Sequence, residues 1–256
     1  MKVASLLAEL DGMFPFVSAG TWDRVGLQIG GVERDVGLVG VCHEVTESVV
    51  EEGISLGTTT IVTYHPLLFT STTSLVTGPT PEGRALRLAV AEIDVISIHT
   101  ALDVATPGTA DALLGRLGLN ASQTFGPVDG DGGADIGRIV HLGAPTTLGL
   151  LASSVGEATG SPTKSAGDRD SEISVVGVIP GSGGSFVSDA VGLMDVFVSG
   201  DISHHDATGA SASGLCIIDA GHVPTERPGV EALYAAVCSV RPDTVRLTDD
   251  PHPWEG

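Results

Sequence analysis

Lysine is almost missing from this chain. Only Lys2 and Lys164 occur in 256 residues, and 12 basic side chains face 32 acidic ones. The formal net charge of −20 repels a phosphate backbone, which argues against nucleic-acid binding through a basic patch. An acid-rich, lysine-poor surface also suits a salty cytoplasm, where ions screen like charges. Cysteine is scarce too: Cys42, Cys216 and Cys238 lie far apart, form no CxxC and are odd in number, so they read as reduced core thiols rather than a disulfide framework. No apolar run approaches the roughly 20 residues that cross a bilayer. Glu9 and Asp11 interrupt MKVASLLAELDGMF, which reads as a short amphipathic helix and not a secretion signal. These absences lead us to expect a cytoplasmic protein with neither a membrane nor a nucleic acid as partner.

What is present suits a globular protein: 42% of residues are hydrophobic, 17% are charged and 35 are glycine, with length enough for one large core or two smaller ones. Short apolar runs alternate with helix-like segments. VGLVGVCHEV (37–46) reads as a strand, and TESVVEEGISLG (46–57) as a helix with Thr46 as N-cap and Gly57 as stop. TTTIVTYHPL (58–67) is a second strand, EGRALRLAVAEI (82–93) a helix and DVISIHTALD (94–103) a third strand. Thr106-Pro107 then caps and starts a helix that closes near Gly118. The series predicts a mostly parallel sheet covered by helices. The Gly, Asp and Ser-rich stretch at 120–137 reads as a boundary or long loop, and SPTKSAGDRDSE as another loop. EISVVGVIPGSGGSF, MDVFVSGDIS and GLCIIDAGH give three further strands, and a last helix is expected from Pro224 to Cys238. The tail after it reads as poorly ordered apart from Trp254.

Ligands of α/β sheets collect beyond the carboxyl ends of strands. Polar residues cluster at such ends here: His43-Glu44, Tyr64-His65, His99 with Asp103, Asp201 with His204-His205-Asp206, and Asp219 with His222. Imidazoles and carboxylates converging on one face are what a metal site requires. In DAGHVPTERP, Pro224 reads as a first helical residue, with His222 just before the helix and Glu226 in its first turn. A dipole-complementing Glu226 and a loop His222 explain that segment equally well. PGSGGSF (180–186) lacks the pattern of a Walker A loop or of GxGxxG, and a tight strand-to-helix turn accounts for it better than an anion cradle. With no GxSxG elbow, a serine hydrolase has little support.

WDRVGLQIG (22–30), VTYHPLLF (62–69), HTALD (99–103), PGSGGSF, SGDISHHDA (199–207) and DAGHVPTE (219–226) occur in the order and rough spacing of the Nif3-like family, and nearly the whole chain resembles it, in the short form without a central insertion. The resemblance implies two α/β domains with a metal cleft between them, here 1–122 with 227–256 and 123–226, a toroidal homo-hexamer, and one or two divalent ions per chain (zinc, manganese or iron). The family's ligand motifs fall on Tyr64, His65, Asp103, His222 and Glu226, with His99 close to the site. Tyr64 stands where the family has histidine, and relatives carry Tyr-His where this chain reads His204-His205; an exchange of the two, with His204 supplying the missing imidazole, is one explanation and independent drift another. Glu44 replaces a usual aspartate. The activity implied is a metal-dependent hydrolase of a small phosphorylated or nucleotide-type ligand, the cyclohydrolase label being one of this class, with His99 and His205 as candidates to move protons. The alternatives are a metal-handling or regulatory hexamer without turnover, which the loss of one ligand favours, and a scaffold with a vestigial site.

Overall fold

The computed structural model of the chain describes residues 1–129 and 133–248; Trp254 lies outside them. The chain opens with α1 (Val3–Met13), followed by β1 (Gly26–Ile29), β2 (Leu38–Cys42), α2 (Glu47–Leu56), β3 (Thr58–Thr63), α3 (Pro81–Val90), β4 (Asp94–Ser97) and α4 (Thr100–Val104). Next come α5 (Thr109–Arg116), β5 (Gln123–Pro127), β6 (Asp135–Thr147), α6 (Leu148–Thr159), β7 (Lys164–Ala166) and β8 (Glu172–Ser182). The chain ends with α7 (Val187–Ala190), β9 (Val196–Gly200), α8 (His204–Ala212), β10 (Cys216–Asp219), α9 (His222–Val240) and β11 (Val245–Arg246).

Two compact units result, 1–105 with 230–256 and 106–229. In the first, the sheet runs β1-β4-β3-β2-β11, with β1 an antiparallel edge and the rest parallel. Side chains alternate across it, as the two-residue strand period demands. Val39, Val41, Val62 and Ile96 face α1 (Leu6, Leu10) and the part of α9 that carries Val230, Leu233 and Val237. Ile61 and Val95 face the opposite way, toward Val49 and Val50 of α2 and Leu88 of α3. Each fully buried aliphatic side chain of this kind stabilises by about 1.5–3 kcal/mol. Thr46 caps α2 as expected, its hydroxyl accepting from the Val49 amide.

The second unit has the order β5-β6-β8-β9-β10-β7. Only β8, β9 and β10 run parallel; β5 and β6 form an antiparallel flank and β7 an antiparallel edge. The expectation of a mostly parallel arrangement therefore holds in the first unit and gives way to a mixed sheet in the second. The stretch 120–137 contains β5, and SPTKSAGDRDSE contains β7. The division falls at 105/106 because Ala110, Leu113 and Leu114 of α5 pack with Leu148, Val155, Val176 and Val196 in the second core. No helix of the described residues is long and apolar enough to cross a membrane.

Candidate metal centre

In the first unit the parallel strands end level with one another: Cys42 pairs with Thr63, and Thr63 with Ser97. The ladder then runs one step further. The Tyr64 amide donates to Cys42 O, His65 to His43 O, and His99 to Tyr64 O, at 3.0, 2.9 and 2.9 Å. This register puts His43, Tyr64, His65 and His99 on the carboxyl edge of three neighbouring strands, where α/β sheets bind ligands. Their rings touch. His43 stacks on Tyr64 with centroids 5.5 Å apart and planes 12° from parallel, and His65 lies 4.7 Å from His43 and 5.1 Å from His99. A ring nitrogen of His43 and one of His65 are within 4.8 Å of each other.

Segment 94–103 is not one strand. β4 stops at Ser97, and Thr100 begins α4 with His99 as its N-cap at φ +36°. Asp23 causes the turn. Its buried carboxylate accepts from the Thr100 amide at 3.1 Å and from the Thr100 hydroxyl, and meets His99 Nδ1 at 2.8 Å. A carboxylate only accepts, so the proton of that last contact sits on Nδ1. Burial raises the Asp23 pKa, but the hydrogen bond and charge of His99 outweigh it and hold the carboxyl below its ordinary value. Asp103 follows one helical turn after His99. It is 4% exposed, and its Oδ1 accepts the Tyr64 hydroxyl proton at 2.7 Å.

The second unit repeats the device. β8, β9 and β10 are parallel, and His222 and Glu226 begin α9 directly beyond β10. His222 is the first helical residue, not a residue before the helix, so the pair is separated by one turn and shares a face. His222 Nε2 meets Glu226 Oε1 at 3.0 Å and Nδ1 meets Asp201 Oδ2 at 2.7 Å. The hydrogen bond that His222 donates to Glu226, against the opposing effect of burial and with help from Asp201, pushes the His222 pKa up to about 9. Asp201 holds φ +52°, an uncommon conformation for a residue with a side chain. Two glycines make room. A Cβ on Gly200 would lie 2.5 Å from the backbone nitrogen of His222, and one on Gly181, at φ +74°, would lie 2.3 Å from Glu226 Oε1. The amides of PGSGGSF serve the fold: Gly181 donates to Thr225 Oγ1 and Gly183 to Gly200 O.

Of the residues expected from sequence, Tyr64, His65, His99 and Asp103 thus come together in the first unit and His222 with Glu226 in the second. His204 and His205 are exposed on α8, and His205 lines a hollow of about 570 Å³ with Gly184, Ser185 and Asp206. Glu44 lines a smaller hollow of about 260 Å³ beside Pro66 and Leu67. Three residues join the candidate set without having been given a role from sequence: His43 as an imidazole next to His65, and Asp23 and Asp201 as carboxylates that orient His99 and His222. Neutral imidazole with buried carboxylate is a donor chemistry that suits zinc, manganese or iron, so the residues present fit such an ion.

Comparison with known proteins agrees with this arrangement. The profile of the Duf34/NIF3 (NGG1p interacting factor 3) family matches residues 1–248. A Streptomyces coelicolor protein called GTP cyclohydrolase 1 type 2 homolog is 32% identical over 99% of this chain and 89% of its own length. Protein NIF3 homolog of Schizosaccharomyces pombe is 33% identical over 82% of this chain and 79% of its own. The crystal structure of a Staphylococcus aureus hypothetical protein superposes with a TM-score of 0.86 at 27% identity, covering 100% of this chain and 99% of that one. A strand-end constellation of histidines and carboxylates, a family profile spanning both units and relatives aligned nearly end to end lead to one conclusion: the chain belongs to the Duf34/NIF3 family.

Proposed function

We propose that His65, Asp103, His222 and Glu226 hold one or two divalent ions, zinc, manganese or iron, and that the protein uses them to hydrolyse a small phosphorylated or nucleotide-type substrate. The observation that carries the reading is the ring cluster His43-Tyr64-His65-His99 gathered over the buried Asp103. His43 supplies an additional imidazole donor. Tyr64, which the family pattern would make a ligand, donates its hydroxyl proton to Asp103 Oδ1 and so orients that carboxylate. Bound ions would supply Lewis acidity and positive charge against a phosphoester, offsetting the repulsion expected from a chain of net charge −20. His99 has the more definite role in proton transfer: Asp23 keeps the proton on Nδ1, and Nε2 takes a proton from, or returns one to, a reacting group. His205 is a second candidate for that work. The names of several relatives support a nucleotide direction. The cytoplasmic hexamer implied by the family resemblance is part of the same proposal.

The Tyr64–Asp103 bond also favours a second reading, in which the protein stores or delivers metal without turnover. It leaves a tyrosine hydroxyl, bonded to a carboxylate, where the family pattern has a histidine ligand. Turnover decides between the two. Zinc- or manganese-loaded protein is expected to hydrolyse at least one member of a phosphoester and nucleotide panel on the order of 100-fold faster than its His65→Ala variant, a typical loss when a proton-transfer or metal site is disabled. Equal rates across the panel would leave only metal handling.

A further inference from the structure

Aromatic residues make up 4% of the chain, and most are expected in cores. Two are not. Trp22 is 48% exposed and Phe69 45%, both in the first unit. Their rings meet at 6.2 Å and 68°, and each also meets the imidazole of His99 edge-on at 6.3 Å, at 81° for Trp22 and 88° for Phe69. The result is an open corner of two aromatic faces next to the histidine assigned to proton transfer. Both sides of the corner are anchored. Trp22 precedes Asp23, the residue that fixes His99, and its indole lies so close over Gly20 that a methyl there would be 2.8 Å from the ring. Phe69 follows Leu68, whose amide donates to Gln28 Oε1 at 3.1 Å and whose carbonyl accepts from Gln28 Nε2 at 3.2 Å. Rings held in place yet half open to water are pre-organised for a flat partner, since little side-chain freedom is lost on contact.

We propose that Trp22 and Phe69 seat the planar heteroaromatic ring of the substrate, which makes that substrate a base-bearing nucleotide rather than a sugar phosphate or a simple phosphoester. The proposal rests on the metal-dependent reading above and names the substrate class of that same site. Stacking on aromatic side chains tolerates any nucleobase and is worth roughly 1–3 kcal/mol per base, about 5- to 150-fold in affinity. Placement beside His99 directs the ring to the reacting end of the site, and Phe69 also borders the hollow that holds Glu44, which leaves room for the rest of a nucleotide.

Calorimetry on zinc-reconstituted protein tests this with GMP, AMP, CMP, UMP and ribose 5-phosphate. At least one nucleotide is expected to bind 10-fold or more tightly than ribose 5-phosphate. Trp22→Leu and Phe69→Leu should each weaken that nucleotide by about 5- to 150-fold, with zinc content and ribose 5-phosphate binding unchanged. In a Trp254→Phe background Trp22 is the one tryptophan left, and guanosine, which carries no phosphate, should quench it with or without zinc. Equal binding of all five compounds, or no quenching by guanosine, overturns the seat while leaving the metal reading intact. Failure to retain zinc overturns the metal reading, and the guanosine arm still judges the seat. If light scattering shows that Trp22→Leu splits an oligomer while nucleotide affinity is unchanged, the pair is a subunit contact and the proposal is wrong.

Discussion

Two aspartate–histidine pairs carry the proposed chemistry at the residue scale. In each, a residue with a side chain holds a positive φ, His99 at +36° and Asp201 at +52°, and in each a carboxylate engages the Nδ1 of the histidine. Strained conformations of this kind cost about 1–3 kcal/mol each and persist where surrounding contacts over-determine them. Carboxylates behind metal-binding histidines typically matter 10- to 100-fold in metal affinity. Asp201→Asn is therefore expected to weaken zinc binding by roughly 10- to 100-fold in a competition titration with a chromogenic chelator, while leaving the fold intact. An unchanged affinity would reduce Asp201 to a surface residue. Asp23→Asn should lower kcat with little change in zinc content, because it disturbs the tautomer of His99 and not a proposed ligand. A loss of zinc in that variant would contradict the division of roles. His65, His99 and His222 were visible in the sequence as histidines at the ends of apolar runs, whereas Asp103 and Glu226 entered the candidate ligand set through the family resemblance. Asp23 was not, since it reaches His99 from a distant segment and nothing in its spacing announces the contact. His43 was visible as a strand-end histidine, but only the registration of β2 against β3 sets it beside His65.

At the scale of elements, each unit sets a histidine and a carboxylate at the start of a helix that follows a parallel strand. His99 and Asp103 stand at the start of α4, and His222 and Glu226 at the start of α9, one helical turn apart in each case. Such spacing stacks the two side chains on one face. Gly181 at the end of β8 leaves the space that Glu226 fills, so Gly181→Ala should displace that carboxylate. Its expected signature is lost zinc affinity with a stability change of only about 1 kcal/mol, the strain of one side chain in a left-handed conformation. A variant that binds zinc as the parent does would show that Glu226 is free to move aside. Helices with clear caps, such as α2 between Thr46 and Gly57, were readable from sequence because side-chain capping is local. The short α4 was mistaken for strand because what starts it is the carboxylate of Asp23, far along the chain. β7 was read as loop because Lys164–Ala166 is three polar or small residues with no apolar alternation, held as a strand only by pairing with β10.

For the whole molecule, a net charge of −20 on 256 residues means that self-repulsion opposes compaction. Raising ionic strength from about 0.01 M to about 0.15 M shortens the screening length from about 30 Å to about 8 Å. The apparent Tm of chelator-treated protein should therefore climb with potassium chloride, and a flat response in scanning calorimetry would show that the acidic charge is already compensated within the fold. Light scattering on the same sample is expected to give six times the 25.9 kDa chain mass if the proposed hexamer forms. The central claim is that His65 and Glu226, carried on different units of the chain, are both metal ligands. The direct measurement is zinc per chain by ICP-MS on untagged protein, reconstituted and desalted, compared with His65→Ala and Glu226→Gln. The account predicts about one or two ions retained by the parent, as mono- and dinuclear sites hold, and a clear loss in each variant. A parent that keeps no zinc, or variants that keep as much as the parent, would contradict it.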